Sequence, residues 1–307
     1  MPLIETIGAW TRLSRPPFHL VGIFPFVLGA LLSWRIYGSF NGPVFVWSLS
    51  AVMLIMLSTY YMGEHHDLRE DTLSAAMERN PFSGGTQAIV KGMLPHKHAR
   101  IAGYIAMTLA CVVGLILQFY YKTGSWTVPL GAMGIIAGFF YSTPPVRWVE
   151  RGVGEILIGF CYGWLPVAAA FYLQCGTIDR IVHWVALPIA CTIFNVILIN
   201  EFPDYPADLI AKKNNLVVRM GKNRAAFLYV SATIVAWITF ALSVKQGLPS
   251  MIFIFYIPVF VVSLSLAIMM LQKRYLNRKS LGIICGLTIA VNLSTSLCYI
   301  LVLWQVG

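Results

Sequence analysis

Along this chain, long apolar runs alternate with shorter polar breaks. Runs of membrane-spanning length, roughly 17–25 residues, fall at about 17–36, 43–63, 99–120, 125–142, 152–174, 180–200, 224–244, 249–271 and 281–304. The pattern predicts an all-α polytopic membrane protein with nine transmembrane helices. Residues 1–16 place Trp10, Arg12 and Arg15 among apolar positions, which predicts an amphipathic helix lying at the interface. Two polar stretches, about 64–98 and 201–223, are longer than the rest, and loops of that size in a compact bundle tend to carry function.

Charge placement orients the runs. With the N-terminus cytoplasmic, 18 of the 22 Lys and Arg residues flank the inner ends, and Arg35, Lys122, Arg180 and Lys245 lie outside. This is the asymmetry of the positive-inside rule. It predicts a cytoplasmic N-terminus, an outside C-terminus, and an integral protein of a bacterial-type inner (cytoplasmic) membrane. Eleven of the twelve acids fall on the same inner side, Asp179 being the exception.

Composition agrees: 58% of the residues are hydrophobic and 11% charged, against about a quarter charged in soluble domains. A net charge of +10 would suit nucleic acid, but its distribution along the inner loops assigns it to the lipid bilayer and excludes nucleic acid as a partner. The six cysteines are scattered through apolar segments without a CxxC pair and read as small core residues. Glu5 interrupts any signal-peptide pattern at the N-terminus.

The acids carry the candidate chemistry. Glu64-x-x-Asp67-x-x-x-Asp71 and Glu201-x-x-Asp204-x-x-x-Asp208 repeat one spacing, each directly after an even-numbered run. We read 1–307 as a single domain with pseudo-repeated acid motifs at 64–71 and 201–208. On a helix, positions i, i+3 and i+7 share one face, so Glu64, Asp67 and Asp71 are expected to line up. Pro203 and Pro206 argue against regular helix beyond Asn200. Bare carboxylates so close together repel, and a divalent cation relieves that. Oxygen-only ligands suit Mg²⁺ rather than Zn²⁺, so His65 and His66 are left out. Glu70 and Glu78 read as solvated charges. Acids with Mg²⁺, and Arg or Lys on the same rim, make a cradle for a diphosphate. An apolar bundle beyond that cradle suits an isoprenyl diphosphate. No P-loop spacing and no Ser/His/Asp or Cys/His arrangement occurs.

The motif Gly63-Glu64-x-x-Asp67-x-x-x-Asp71, with Asn200 preceding Asp204-x-x-x-Asp208, resembles the paired NDxxDxxxD and DxxxD-type motifs of the UbiA superfamily of intramembrane prenyltransferases. Three further stretches resemble its 1,4-dihydroxy-2-naphthoate (menaquinone) branch: SGGTQAIVKGMLP (83–95), YSTPPVRWVERGVGE (141–155) and DLIAKKNNLVVRMGKNRA (208–225). The chain departs at Gly63, where the family has Asn, and at Glu64, where it has Asp. Asn214 stands in place of a common Arg, and the two prolines are unusual.

The resemblance implies a nine-helix bundle that transfers an isoprenyl chain from a prenyl diphosphate to an aromatic acceptor. The acceptor would be 1,4-dihydroxy-2-naphthoate or a related quinone precursor. Asp67, Asp71, Asp204 and Asp208 would hold Mg²⁺, assisted by Glu64. Arg147, Lys213, Arg79, Lys91 and Asn200 would bind the diphosphate, and Tyr141 or Tyr61 would face the allylic cation. A terpene cyclase of the same superfamily, acting without an acceptor, is the alternative; a transporter is a remote one.

Overall fold

The computed structural model describes residues 3–77, 82 and 85–305. Among these, all regular structure is helical: α1 (Leu3–Leu13), α2 (Pro16–Tyr37), α3 (Gly42–His66), α4 (Leu68–Ala75), α5 (His96–Leu115), α6 (Thr127–Ser142), α7 (Gly154–Gly159), α8 (Leu165–Cys175), α9 (Arg180–Ala211), α10 (Leu216–Val244), α11 (Ile252–Leu271) and α12 (Arg278–Gln305). A π-helical turn extends α5 to Tyr120, and another joins α7 to α8. Among the described residues eight helical segments are long and apolar enough to span a bilayer. The expected span at 125–142 appears as α6, apolar but 16 residues long. At 1.5 Å per residue that is about 24 Å, short of a hydrocarbon core of about 30 Å.

Element ends follow local chemistry. Asn41, Asp179 and Asn215 cap α3, α9 and α10 by accepting from the backbone N–H of Val44, Ile181 and Val218. Gly221, at φ 78°, breaks α10 near its start, so its first turn bends away from the spanning part. The interfacial helix is present as α1. It seats Ala9 and Leu13 against Tyr61, Ala88 and Ala99, and leaves Ile4 and Ile7 exposed.

The sequence-based expectation that helix would end near Asn200 is wrong. α9 runs unbroken through Pro203 and Pro206 to Ala211. Pro203 removes the bond that the Ile199 carbonyl would accept, and Cys285 Sγ approaches that carbonyl at 3.8 Å. Phe202 and Ala207 are buried, so packing holds the turns that local propensity would release. At 32 residues, α9 is about 48 Å long, longer than a bilayer core, and its last turns stand beyond the core.

Between helices in lipid, close packing of small residues supplies much of the cohesion. Gly29 of α2 lies against the backbone of Val167, and Gly163 against Ala190 of α9. A Cβ on Gly29 would come within 2.9 Å of the Val167 carbonyl carbon. Gly29→Val should therefore force α2 and α8 apart and cost about 1–3 kcal/mol or more, read as a lowered Tm in detergent. Gly282→Ala, where a Cβ meets nothing within 4 Å, should leave Tm unchanged.

Candidate active site

Two helix ends meet at one end of the bundle. α3 stops at His66, the chain turns at Asp67 (φ −92°, ψ 14°), and α4 begins one residue later. That break separates the first acid motif. Asp67 and Asp71 line a cavity of about 230 Å³, whereas Glu64 is not part of its wall. Across the cavity, the last turns of α9 present Asn200, Glu201, Asp204 and Asp208. Ser74 of α4 donates to Asp204 Oδ1 at 3.1 Å, tying the two acid-bearing elements together. The expectation that Glu64, Asp67 and Asp71 share a continuous helical face thus fails at the Asp67 turn.

Each aspartate has its own support. Ser142 Oγ donates to Asp67 Oδ2 at 2.9 Å, and Arg147 Nη2 to Asp67 Oδ1 at 3.0 Å. Asn215 Nδ2 donates to Asp208 Oδ2 at 2.8 Å, with Lys213 Nζ 4.0 Å from the other oxygen. Gln87 Nε2 reaches the backbone carbonyl of Asp71 at 3.0 Å. Gly85, at φ 61°, brings the same loop so near the Asp71 carboxylate that a Cβ there would collide with it.

The cations divide differently from the sequence-based expectation. Lys213 lines the cavity. Burial disfavours its charge, but Asp67 and Asp208 outweigh that and lift its pKa well above the ordinary lysine value. Arg15 also lines the cavity, and pairs with Glu64 Oε1 at 2.7 Å. Nothing in the sequence distinguished it from its interfacial neighbours, because its partner lies 49 positions away. Arg147 is not part of the wall. It sits behind Asp67, held by Asp67, Glu70 and Glu150 at 3.0–3.2 Å. Glu70, expected to be solvated, is accordingly buried. Lys91 is exposed and away from the cavity; Arg79 and Glu78 lie outside the described residues.

Glu64 closes a different connection. Its Oε1 accepts from Arg15 and from the Thr86 N–H, and its Oε2 from Thr86 Oγ1 at 2.8 Å. Both oxygens are engaged in fastening the 85–95 loop to α3 and to the turn after α1. His65 stacks on His96 with ring centroids 5.3 Å apart, and neither lines the cavity.

Beyond the acids the cavity wall turns apolar and aromatic, with Tyr60, Tyr141, Tyr162, Ile193 and Val196. Tyr61 faces the other way: its hydroxyl pairs with Ser14 at 2.7 Å and its ring packs on Trp10. Thr59 and Tyr162 line both this cavity and a second one of about 310 Å³, which is apolar and bounded by α3, α5, α6 and α8. A charged mouth therefore adjoins a greasy chamber.

The donor set fits Mg²⁺. Among the described residues no three His, Cys, Asp or Glu side chains converge on one point. Mg²⁺ does not need that; it takes one or two carboxylates and fills its octahedron with water and phosphate oxygen. Asp71 is a carboxylate whose charge its surroundings disfavour. Burial, with Glu64 and Asp67 nearby, pushes its pKa up to about 8. Asn200 Oδ1, buried and without a hydrogen-bond partner, is a further oxygen acceptor on the wall.

Comparison with known proteins shows the family and the fold. A model of the UbiA prenyltransferase family matches residues 23–282. The chain is 25% identical over 242 residues to the 1,4-dihydroxy-2-naphthoate octaprenyltransferase of Bacillus subtilis, covering 77% of this chain and 74% of that protein. It is 25% identical over 265 residues to the enzyme of the same name from Haemophilus influenzae, covering 83% of each. A solved UbiA homolog from Archaeoglobus fulgidus, bound to GPP and Mg²⁺, superposes with a TM-score of 0.66 at 16% identity, over 94% of this chain and 99% of that one.

The raised Asp71 pKa has a consequence for stability. Folded protein binds this proton more tightly than unfolded chain does, so in EDTA stability should fall as pH rises from about 4 to about 8. Asp71→Asn should flatten that slope in thermal melts, and Mg²⁺ should reverse it in the unsubstituted protein.

Proposed function

The chain belongs to the UbiA prenyltransferase family, and from that membership we propose that it transfers an isoprenyl chain from a prenyl diphosphate to 1,4-dihydroxy-2-naphthoate or a related quinone precursor, with Mg²⁺ as cofactor. The observation that carries this reading is the pair of aspartate clusters facing one another across a cavity that leads into an apolar chamber. The head of an amphiphile fits the first and its tail the second.

Asp67 and Asp71 from one side, and Asp204 and Asp208 from the other, are the residues that would hold the ion, with Asn200 beside them. Bound there, Mg²⁺ supplies charge that stabilises the departing diphosphate. Lys213 and Arg15 bind diphosphate oxygens directly and take up charge as the C–O bond lengthens. Arg147 positions Asp67 from behind, and Glu64 fixes the loop that closes the site. The aromatic walls of Tyr60, Tyr141 and Tyr162 exclude water and face the allylic carbon. An electron-rich ring carbon attacks that carbon, and the ring then loses a proton or, for a naphthoate, its carboxyl group.

The protein is an integral membrane protein, and we assign its acid-bearing end to the cytoplasm of a bacterial-type inner membrane. The distribution of 18 basic residues on that side against four on the other supports this orientation.

Purified protein incubated with geranylgeranyl diphosphate, Mg²⁺ and 1,4-dihydroxy-2-naphthoate should yield a prenylated ring. Asp71→Ala and Asp208→Ala should each lower turnover by about 10²-fold or more while leaving Tm near that of the unsubstituted protein at low pH. A cyclic hydrocarbon formed from the diphosphate alone, at a rate the naphthoate does not change, would replace this reading with a cyclase.

A further inference from the structure

The charged mouth passes into the apolar chamber along four chain elements, each changing sides within about one helical turn. On α2, Val21 belongs to the mouth and Gly22 to the chamber. On α6, Tyr141 belongs to the mouth and Gly138 to the chamber. Thr59 of α3 and Tyr162, in the π-helical turn between α7 and α8, line both. Gly22, Thr59, Gly138 and Tyr162 therefore form a collar between the two cavities.

The collar stays open because two of its members have no side chain. A Cβ on Gly138 would collide with Thr59 Oγ1. One on Gly22 would stand 2.7 Å from Met56 Sδ and 3.7 Å from Tyr162 Cδ1. Gly29 and Gly163 differ, since they lie against backbone, as glycines do where helices pack closely. At Gly22 and Gly138 the nearest neighbours are side chains of the chamber wall, so the space each glycine leaves is passage. A glycine inside a helix costs about 0.5–1 kcal/mol relative to alanine, and an open passage gives that cost a reason. Thr59 donates its hydroxyl to the Ile55 carbonyl at 2.9 Å, so hydrocarbon can lie against it without stranding a polar group.

Depth decides what reaches the collar. Thr59 lies eight residues before Asp67, about 12 Å along the axis of α3. The diphosphate takes up part of that distance, and the rest holds one or two isoprene units, each four C–C bonds of about 1.5 Å. From the third unit onward the chain has to pass the collar. Beyond it the chamber runs along α3 from Thr59 to Ser48, about 16 Å, or about three more units. We propose that Gly22, Thr59, Gly138 and Tyr162 set the prenyl specificity of this enzyme. Chains of up to two units bind in the mouth alone, and longer linear chains bind by threading the collar. This rests on the prenyl diphosphate reading above and names its substrate class, linear prenyl diphosphates of three units or more. Each unit drawn through the collar leaves water for an apolar wall, which favours the longer chain.

The test measures binding of geranyl and geranylgeranyl thiolodiphosphates, with Mg²⁺, by calorimetry. It compares the unsubstituted protein with Gly22→Leu, with Gly138→Ala, and with Gly138→Ala combined with Thr59→Ala. The unsubstituted protein should bind the geranylgeranyl compound more tightly. Gly22→Leu should weaken that binding by about 10²-fold or more, and Gly138→Ala by about tenfold, while geranyl binding changes by less than about threefold. Thr59→Ala removes the oxygen that the Gly138→Ala methyl would strike, so the double variant should bind the long chain as the unsubstituted protein does. A Tm measurement identifies a variant that fails to fold, and the others then decide. Geranylgeranyl binding unchanged in the folded single variants, or both compounds weakened alike, would overturn the collar and leave the prenyltransferase reading standing. Failure of the unsubstituted protein to prenylate 1,4-dihydroxy-2-naphthoate, with both thiolodiphosphates bound as expected, would overturn the transfer reading and leave the collar. Failure to bind either compound would overturn both.

Discussion

Four aspartates meet at one end of an apolar bundle, where ionised groups lose most of their hydration, and the surrounding structure is organised around keeping them there. Carboxylates in such a place repel one another and favour protonation, as the lifted pKa of Asp71 displays. Asp67, Asp204 and Asp208 have neutral or cationic support: Ser142 and Arg147 on Asp67, Ser74 on Asp204, Asn215 and Lys213 on Asp208. These supports come from α4, α6, the turn before α7 and the turn before α10. Chain segments far apart in sequence are thus drawn to one place by charge compensation. The interfacial helix joins the same scheme, since Ser14 and Arg15 at its end fasten to Tyr61 and Glu64.

The rest of the bundle is held by other forces, which separates folding from chemistry. Glycines such as Gly29 and Gly163 let helix backbones approach closely, and Asn195 and Asn292 bond to neighbouring threonines across the buried interior. None of these contacts involves the acids. The apolar chamber between α3, α5, α6 and α8 is a consequence of that framework, and its junction with the charged mouth at Thr59 and Tyr162 lets one molecule with a polar head and a long tail occupy both.

How much of this was legible beforehand follows from what each feature depends on. The spans depend on hydrophobic runs, so an end such as that of 17–36 falls within a residue of Pro16–Tyr37, whereas the run 180–200 belongs to a helix that continues to Ala211. The extension failed because proline propensity is local, whereas Phe202 and Cys285 act through tertiary packing. Asp204 and Asp208 share a face because four residues separate them on α9, whereas Asp67, Asp71 and Lys213 reach the same cavity through the Asp67 turn, α4 and the turn after α9. Arg147 and Glu64 were read with the wrong neighbours, since the Asp67 turn and the 85–95 loop decide what each one touches. Tyr60 rather than Tyr61 faces the cavity; a one-residue difference rotates a side chain by about 100° on a helix, which an unbroken apolar run does not resolve. Arg15 carried no local signal at all.

The proposed chemistry depends on a divalent ion held between the two aspartate clusters, and anomalous diffraction observes such an ion directly. Crystals grown with Mn²⁺ in place of Mg²⁺ and with geranylgeranyl thiolodiphosphate should show manganese peaks about 2.0–2.3 Å from carboxylate oxygens of both clusters, Asp67 or Asp71 on one side and Asp204 or Asp208 on the other. Peaks confined to the His65–His96 surface, or a thiolodiphosphate bound between the clusters without metal, would contradict it.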